Sequence, residues 1–244
     1  SSVMTVAAAG NHDVGTPKQT EALDWEKYPD LFGFFLFWSQ SANGPAQPQG
    51  LMSKLFVRGK NRKRMGSMIG NAVFEGSNFH FRYGNIHFVV LDANRHMDWS
   101  LPELRKWLEG ALKAGADADF RIVSFHQPPF NSDFKYRGEQ RMRIITDILE
   151  AGKVDLVFCG HCHYYERSKP IKFAGNDRDP NGVMVVDAKY HVDGLITCDE
   201  AYDGVKNTNP DGIIYVISGA ASELTDDTHL PRPQSFTAKI EWQH

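Results

Sequence analysis

The chain has 244 residues, 41% of them hydrophobic and 23% charged, which is ordinary for a folded globular protein and enough for one substantial core. A formal net charge of −3 offers no bulk attraction to nucleic acid or to an anionic membrane, and no apolar run reaches the ~20 residues of a membrane-spanning helix. Three cysteines, Cys159, Cys162 and Cys198, exclude a fully paired disulfide framework, so packing must carry the stability.

In chain order, Val3–Val6 reads as a strand running into Gly10-Asn11-His12-Asp13. Leu31–Trp38 is a Phe-rich stretch interrupted by Gly33, fit for a buried strand or an aromatic lid. Residues 40–70 are rich in Gly, Pro, Ser and Gln and then basic from Arg58 to Arg64, the pattern of a solvated excursion from the core. Phe79–Tyr83 and Ile86–Leu91 alternate around Gly84-Asn85 and predict a hairpin, with His80 and His87 as ordinary strand residues because neither ends a strand. Ser100 and Glu103 form a capping-box pattern with Pro102 in the first turn, and Leu101, Leu104, Leu108 and Leu112 recur at helical spacing up to Gly115.

Arg121–Phe125 is a second strand, ending at His126-Gln127-Pro128-Pro129. A helix is predicted from about Glu139 to Ala151, burying Met142, Ile145, Ile148 and Leu149. Val154–Phe158 is a third strand, ending at Gly160-His161-Cys162-His163. Residues 174–212 are dense in Asp, Asn and Gly and read as an inserted loop. Strands return at Ile213–Ser218 and Ser235–Trp242. Alternating helices and strands make this one α/β domain over residues 1–244, with loop insertions at 31–70 and 174–212.

Three strands therefore stop at polar, histidine-bearing turns. In α/β sheets the carboxyl ends of strands are where ligands collect, so Asn11, His126, His161 and His163 are predicted to converge there. Imidazole suits Zn, Fe, Mn or Cu, and an Asn amide oxygen adds a hard, neutral ligand.

The same residues resemble the calcineurin-like metallophosphoesterases, and within them the purple acid phosphatase-like branch. Gly10-Asn11-His12-Asp13, His126-Gln127-Pro128-Pro129 and Gly160-His161-Cys162-His163-Tyr164-Tyr165-Glu166-Arg167 match three of its motifs in order, and Tyr83–Asp92 resembles one of its strands. The resemblance implies a four-layer αββα sandwich of two mixed sheets and a dinuclear centre of Fe, Zn or Mn ions that hydrolyses phosphate esters. It implies that Asn11, His126 and His161 bind one ion and His163 the other. His12 then contacts phosphate or protonates the leaving oxygen, with Asp13 holding its ring. Glu166 and Arg167 themselves read as a pair bracing the ligand loop, with direct phosphate contact as the alternative. A secreted or periplasmic location also follows from the resemblance, with a phosphate-ester substrate as the partner.

The family's first two metal motifs, an Asp-x-His or Asp-x-Asp pair and a Gly-Asp element, find no counterpart. None of the 21 glycines precedes an Asp, and the one Asp-x-His is Asp227-Thr228-His229. The N-terminal strands are therefore expected to be missing and the chain alone to be a poor catalyst, with Asp227 and His229, or Asp187 and His191, as substitute ligands to be checked. Two rival functions remain: a catalytically degenerate binding module, and a thiol-disulfide oxidoreductase built on Cys159-Gly160-His161-Cys162.

Overall fold

The computed structural model describes residues 5–13, 33–34, 38, 40–46, 48, 73–219 and 231–242. Its strands are β1 (Phe79–Tyr83), β2 (Ile86–Val90), β3 (Phe120–Ser124), β4 (Leu156–Cys159), β5 (Tyr165–Ser168), β6 (Ile171–Gly175), β7 (Gly194–Cys198), β8 (Ile214–Ser218) and β9 (Thr237–Glu241). Seven of them form one mixed sheet in the order β1-β2-β3-β4-β8-β5-β9, and β6 with β7 forms a second, antiparallel pair. The architecture is the mixed α/β class expected, with one large mixed sheet and a smaller second one.

The centre of the large sheet, β2-β3-β4-β8, is parallel. Its register is fixed by burial: Val89 lies beside Val123, Val123 beside Val157 and Val157 beside Tyr215, and all four side chains are buried. A slip of one residue on any strand would turn this row out of the core. Helix α1 (Pro102–Lys113) buries Leu104, Leu108, Ala111 and Leu112. It is tied to helix α2 (Thr146–Ala151) by Arg105, whose guanidinium donates to the Asp147 carboxylate at 2.7 Å and to the Ile144 carbonyl at 2.8 Å.

Several local expectations change. The predicted helix over 139–151 splits into a 3-10 turn, Arg141–Ile145, followed by the short α2. Met142, Arg143, Ile144 and Ile145 are all buried, so the segment has no single apolar face to lay on a core, and a tighter coil lets successive side chains point inward. The Thr146 hydroxyl donates to the Arg143 carbonyl at 2.8 Å, which marks the junction. Ser100 does not cap α1; its hydroxyl donates to Asp98 at 2.6 Å, and Leu101 occupies the cap position without a side-chain bond.

Residues 5–10 are coil rather than strand, and Val6 and Ala8 line one cavity with Phe81, Phe88 and Ile122 of the sheet. Positions 3 and 4 lie outside the described residues, as does most of 31–70; Gly33 and Phe34 have helical backbone. The stretch 174–212 begins within β6 and contains β7, its partner strand.

Leu108 is fully buried at the middle of α1. Leu108→Ala is expected to cost about 2–5 kcal/mol of unfolding free energy, read as a lower urea midpoint at unchanged slope.

Candidate metal centre

Parallel pairing places the ends of β2, β3 and β4 side by side, and the loops beyond them are cross-braced by main-chain bonds. The Phe125 amide donates to the Phe158 carbonyl at 3.1 Å, and the Gly160 amide to the His126 carbonyl at 3.0 Å. The two histidine loops therefore emerge in fixed relation. Gly10 and Gly160 flank the His126 ring so closely that an added Cβ would sit 3.1 Å and 3.3 Å from it.

Three donor atoms converge. His126 Nε2 lies 2.8 Å from Asn11 Oδ1, His161 Nδ1 lies 3.2 Å from the same oxygen, and the two ring nitrogens are 3.3 Å apart. Tetrahedral coordination with bonds near 2.0–2.1 Å separates its ligand atoms by about 3.3 Å, so this triangle accepts a cation after an expansion of a few tenths of an ångström. Its donor set, two imidazole nitrogens and an amide oxygen, fits Fe, Zn or Mn. Among the described residues no three His, Cys, Asp or Glu side chains form a metal-holding group; the third member here is the Asn11 amide.

His161 reaches the triangle from a left-handed backbone conformation, φ 66°, in a turn closed by the Cys162 amide on the Gly160 carbonyl at 2.7 Å. A non-glycine residue held there carries local strain, a feature that clusters at functional sites. Tyr136 packs on the His161 ring with centroids 4.3 Å apart. His163 is half-buried and His12 exposed, and both act on His126 and His161 through space. Asp13 does not hold the His12 ring by any hydrogen bond among the described residues. Its carboxylate instead accepts the Gly10 amide at 2.8 Å and closes the turn that presents Asn11.

The residues that sequence reasoning passed over lie after β2. Asp92 is fully buried; one oxygen accepts the Asn94 amide at 2.8 Å and the Asn94 side chain at 2.9 Å, and the other meets His96 Nε2 at 2.9 Å. Burial alone would raise its pKa, but the His96 charge and hydrogen bond and the two Asn94 bonds outweigh it and hold the carboxyl below its ordinary value. The Asn94 amide then donates to the carbonyls of Ala9 and Gly10 at 3.2 and 3.3 Å, directly behind Asn11. The available signal was a fourth strand, Ile86–Leu91, running into polar residues.

Glu166 is buried and accepts bonds from the Ser132 amide (2.9 Å), the Ser132 hydroxyl (2.5 Å), the Thr237 hydroxyl (2.7 Å) and the Tyr164 hydroxyl (3.3 Å). It braces the loop as expected, but not with Arg167. The two are neighbours on one strand and point to opposite faces, and no ion pair joins them among the described residues. Asp187 and His191 pair with each other at 3.7 Å in an exposed turn, while Asp227 and His229 lie outside the described residues.

The sequence model of the calcineurin-like phosphoesterase family matches residues 2–165, the stretch that holds all three histidine turns. The chain belongs to that family. Within it, the chain is similar to purple acid phosphatases. Purple acid phosphatase 18 of Arabidopsis thaliana is 31% identical over 104 residues, covering 41% of this chain and 23% of that protein. Purple acid phosphatase 13 of the same plant is 28% identical over 173 residues, covering 69% and 26%. The solved purple acid phosphatase from yellow lupin (Lupinus luteus) seeds shares 16% identity with a TM-score of 0.48, covering 78% of this chain and 29% of that one. The chain thus spans about a quarter of the length of the relatives it matches.

The rival disulfide chemistry of Cys159 and Cys162 meets an electrostatic obstacle in this family's turn. Both thiols are buried and free, and burial pushes both pKa values up, the reverse of what a nucleophilic thiolate needs.

Burial, followed by the charges of His12 and His163, holds His126 down to about 4. Burial, then His126, His163, Arg141 and His12, holds His161 down to about 3. The folded, metal-free chain therefore keeps both rings neutral where an unfolded chain protonates them, below about pH 6.5. Their stabilising contribution is complete above that pH and is lost as pH falls toward 4 and 3, by up to about 1.4 kcal/mol per pH unit for each ring. Urea unfolding of metal-free protein at about pH 7 and pH 5 should show this loss, and a His126→Gln, His161→Gln double variant should show a smaller one. An identical loss in the variant would refute the assignment.

Proposed function

We propose that this chain carries part of the active centre of a phosphate-ester hydrolase that works with two metal ions. The observation that supports this most is the triangle of Asn11, His126 and His161 at the ends of parallel strands, in a chain of a family named for phosphoesterase activity. These three residues hold one ion, of Fe, Zn or Mn. His163, two residues beyond His161 on the same turn, serves the other. Bound there, such ions neutralise phosphate oxygens and lower the pKa of an attacking water.

The chain's own side chains do the rest. Exposed beside the triangle, His12 is placed to hold a phosphate oxygen or to give its proton to the leaving oxygen. Asp13 acts through the turn, by fixing the Gly10 amide and thereby the direction in which Asn11 and His12 leave the backbone. Tyr136 covers one face of His161 and limits its rotation. The substrate class is a phosphate ester, and we read the whole as one incomplete phosphoesterase domain.

The binding-module reading draws on one observation: among the described residues His163 has no companion ligand that would complete a second site. Metal content and turnover decide between the two. The hydrolase reading expects two ions per full-length protein and hydrolysis of a chromogenic phosphate ester. His161→Ala should lower metal affinity by more than about 10-fold and abolish turnover, whereas Cys162→Ser should change neither. One ion or none, without turnover, would favour the binding module. Loss of activity in the Cys162 variant would revive thiol chemistry.

A further inference from the structure

Arg143 is the buried cation that the donor triangle does not explain. It is 8% exposed, and its guanidinium lies over the rings of Phe130 and Phe173, 4.7 and 5.2 Å from their centres. Its Nε donates to the Pro129 carbonyl at 2.9 Å and its Nη1 to the Val192 carbonyl at 3.4 Å. Among the described residues Nη2 has no hydrogen-bond partner, and no carboxylate pairs with the side chain. Burial brings its pKa down to about 10, with Tyr215 and Asp193 acting against the fall, so the charge persists at neutral pH. Asp193 acts only through space; it is exposed and accepts the Asn176 amide at 2.8 Å. Buried charges are normally paired, because taking them out of water is costly. Bracing the Pro129 and Val192 loops accounts for Nε and Nη1, and leaves Nη2 without a role.

Arg143 borders a cavity of about 430 Å³, and no carboxylate stands in its wall. A second guanidinium, that of Arg137, lines the same space. It rests over the Phe134 ring at 5.2 Å, and among the described residues it also lacks an ion pair. Gln140 and Gln234 add side-chain amides to the wall. Each gives one bond to a carbonyl, Gln140 to Arg137 at 3.2 Å and Gln234 to Arg232 at 2.6 Å, and keeps a second N–H. His191 also lines the cavity, and Asp187, the carboxylate beside it at 3.7 Å, is held by the Lys189 and His191 amides at 2.7 and 2.8 Å. The wall thus offers cations and amide donors without an acid to satisfy them. Ile196 and Phe236 give it an apolar side.

We propose that this cavity binds a small organic oxyanion, a carboxylate or phosphoryl group on an apolar body, with Arg143 and Arg137 supplying the positive charge. The planar fork of a guanidinium fits the paired oxygens of either group, and the bound anion gives Arg143 the counter-charge that the protein itself does not provide. The volume suits a ligand of modest size, with Ile196 and Phe236 against its carbon body. The site stands apart from the hydrolase reading, since none of its residues belongs to the donor triangle.

The test titrates the full chain calorimetrically at pH 7 with three ligands on one ring: benzoate, phenylphosphonate and the neutral benzamide. One or both anions should bind at least about tenfold tighter than benzamide, and the tighter of the two identifies a carboxylate or a phosphoryl ligand. Arg143→Gln and Arg137→Gln should each bring that ratio to about one. Arg143 is buried and its variant can fail to fold, whereas Arg137 is exposed and its variant keeps the test decisive. His161→Ala should leave the preference unchanged, which separates this cavity from an anion held at the donor triangle. Equal affinity for all three ligands, a preference that survives Arg137→Gln, or one that disappears with His161→Ala overturns the proposal.

Discussion

A carboxylate cut off from water must find its counter-charge and its hydrogen-bond donors within the protein. Asp92 finds both within four residues, in His96 and Asn94. The bonds also reach outward. The Asn94 side chain that binds Asp92 holds the Ala9 and Gly10 carbonyls, and its oxygen accepts the Gln127 amide at 3.1 Å, one residue beyond His126. One buried anion thus fixes the loop that carries Asn11 against the loop that carries His126. Glu166 plays the same part on the other flank, joining β5 and β9 to the turn at Ser132. Two buried carboxylates that lie outside the donor triangle thus brace the loops around it, an arrangement in which surrounding polar groups set the geometry of the side chains that converge.

The strand ends were legible because each depends on a local pattern. An apolar, β-branched run fits the buried centre of a parallel sheet, and a polar turn right after it must lie at the sheet edge, so His126 and His161 could be placed together without any contact being known. The hairpin at Gly84-Asn85 was legible for a related reason: Gly84 takes φ 61°, which glycine tolerates at no steric cost. The break between the 3-10 turn and α2 was not legible. Apolar spacing from Met142 to Leu149 suits a continuous helix, and what ends that helix is tertiary: Arg143 is drawn inward over the Phe130 and Phe173 rings, with its Nε on the Pro129 carbonyl at 2.9 Å. Arg141 and Tyr190 were illegible for the same reason, since nearly fifty positions separate them in the chain and only the fold makes them neighbours.

The alternation at Gly160-His161-Cys162-His163 sorts the chemistry of the turn. His161 faces Asn11 and His126, and Cys162 is fully buried in the core beside Tyr164. Burial pushes the Cys162 thiol pKa up and the nearby Asp133 and Glu166 carboxylates push it further, the reverse of what disulfide exchange needs, whatever its spacing from Cys159. The four letters that suggest disulfide exchange are thus divided by the turn between a side that faces Asn11 and His126 and a packing side. A motif carries chemistry only through the direction in which its backbone sends each side chain.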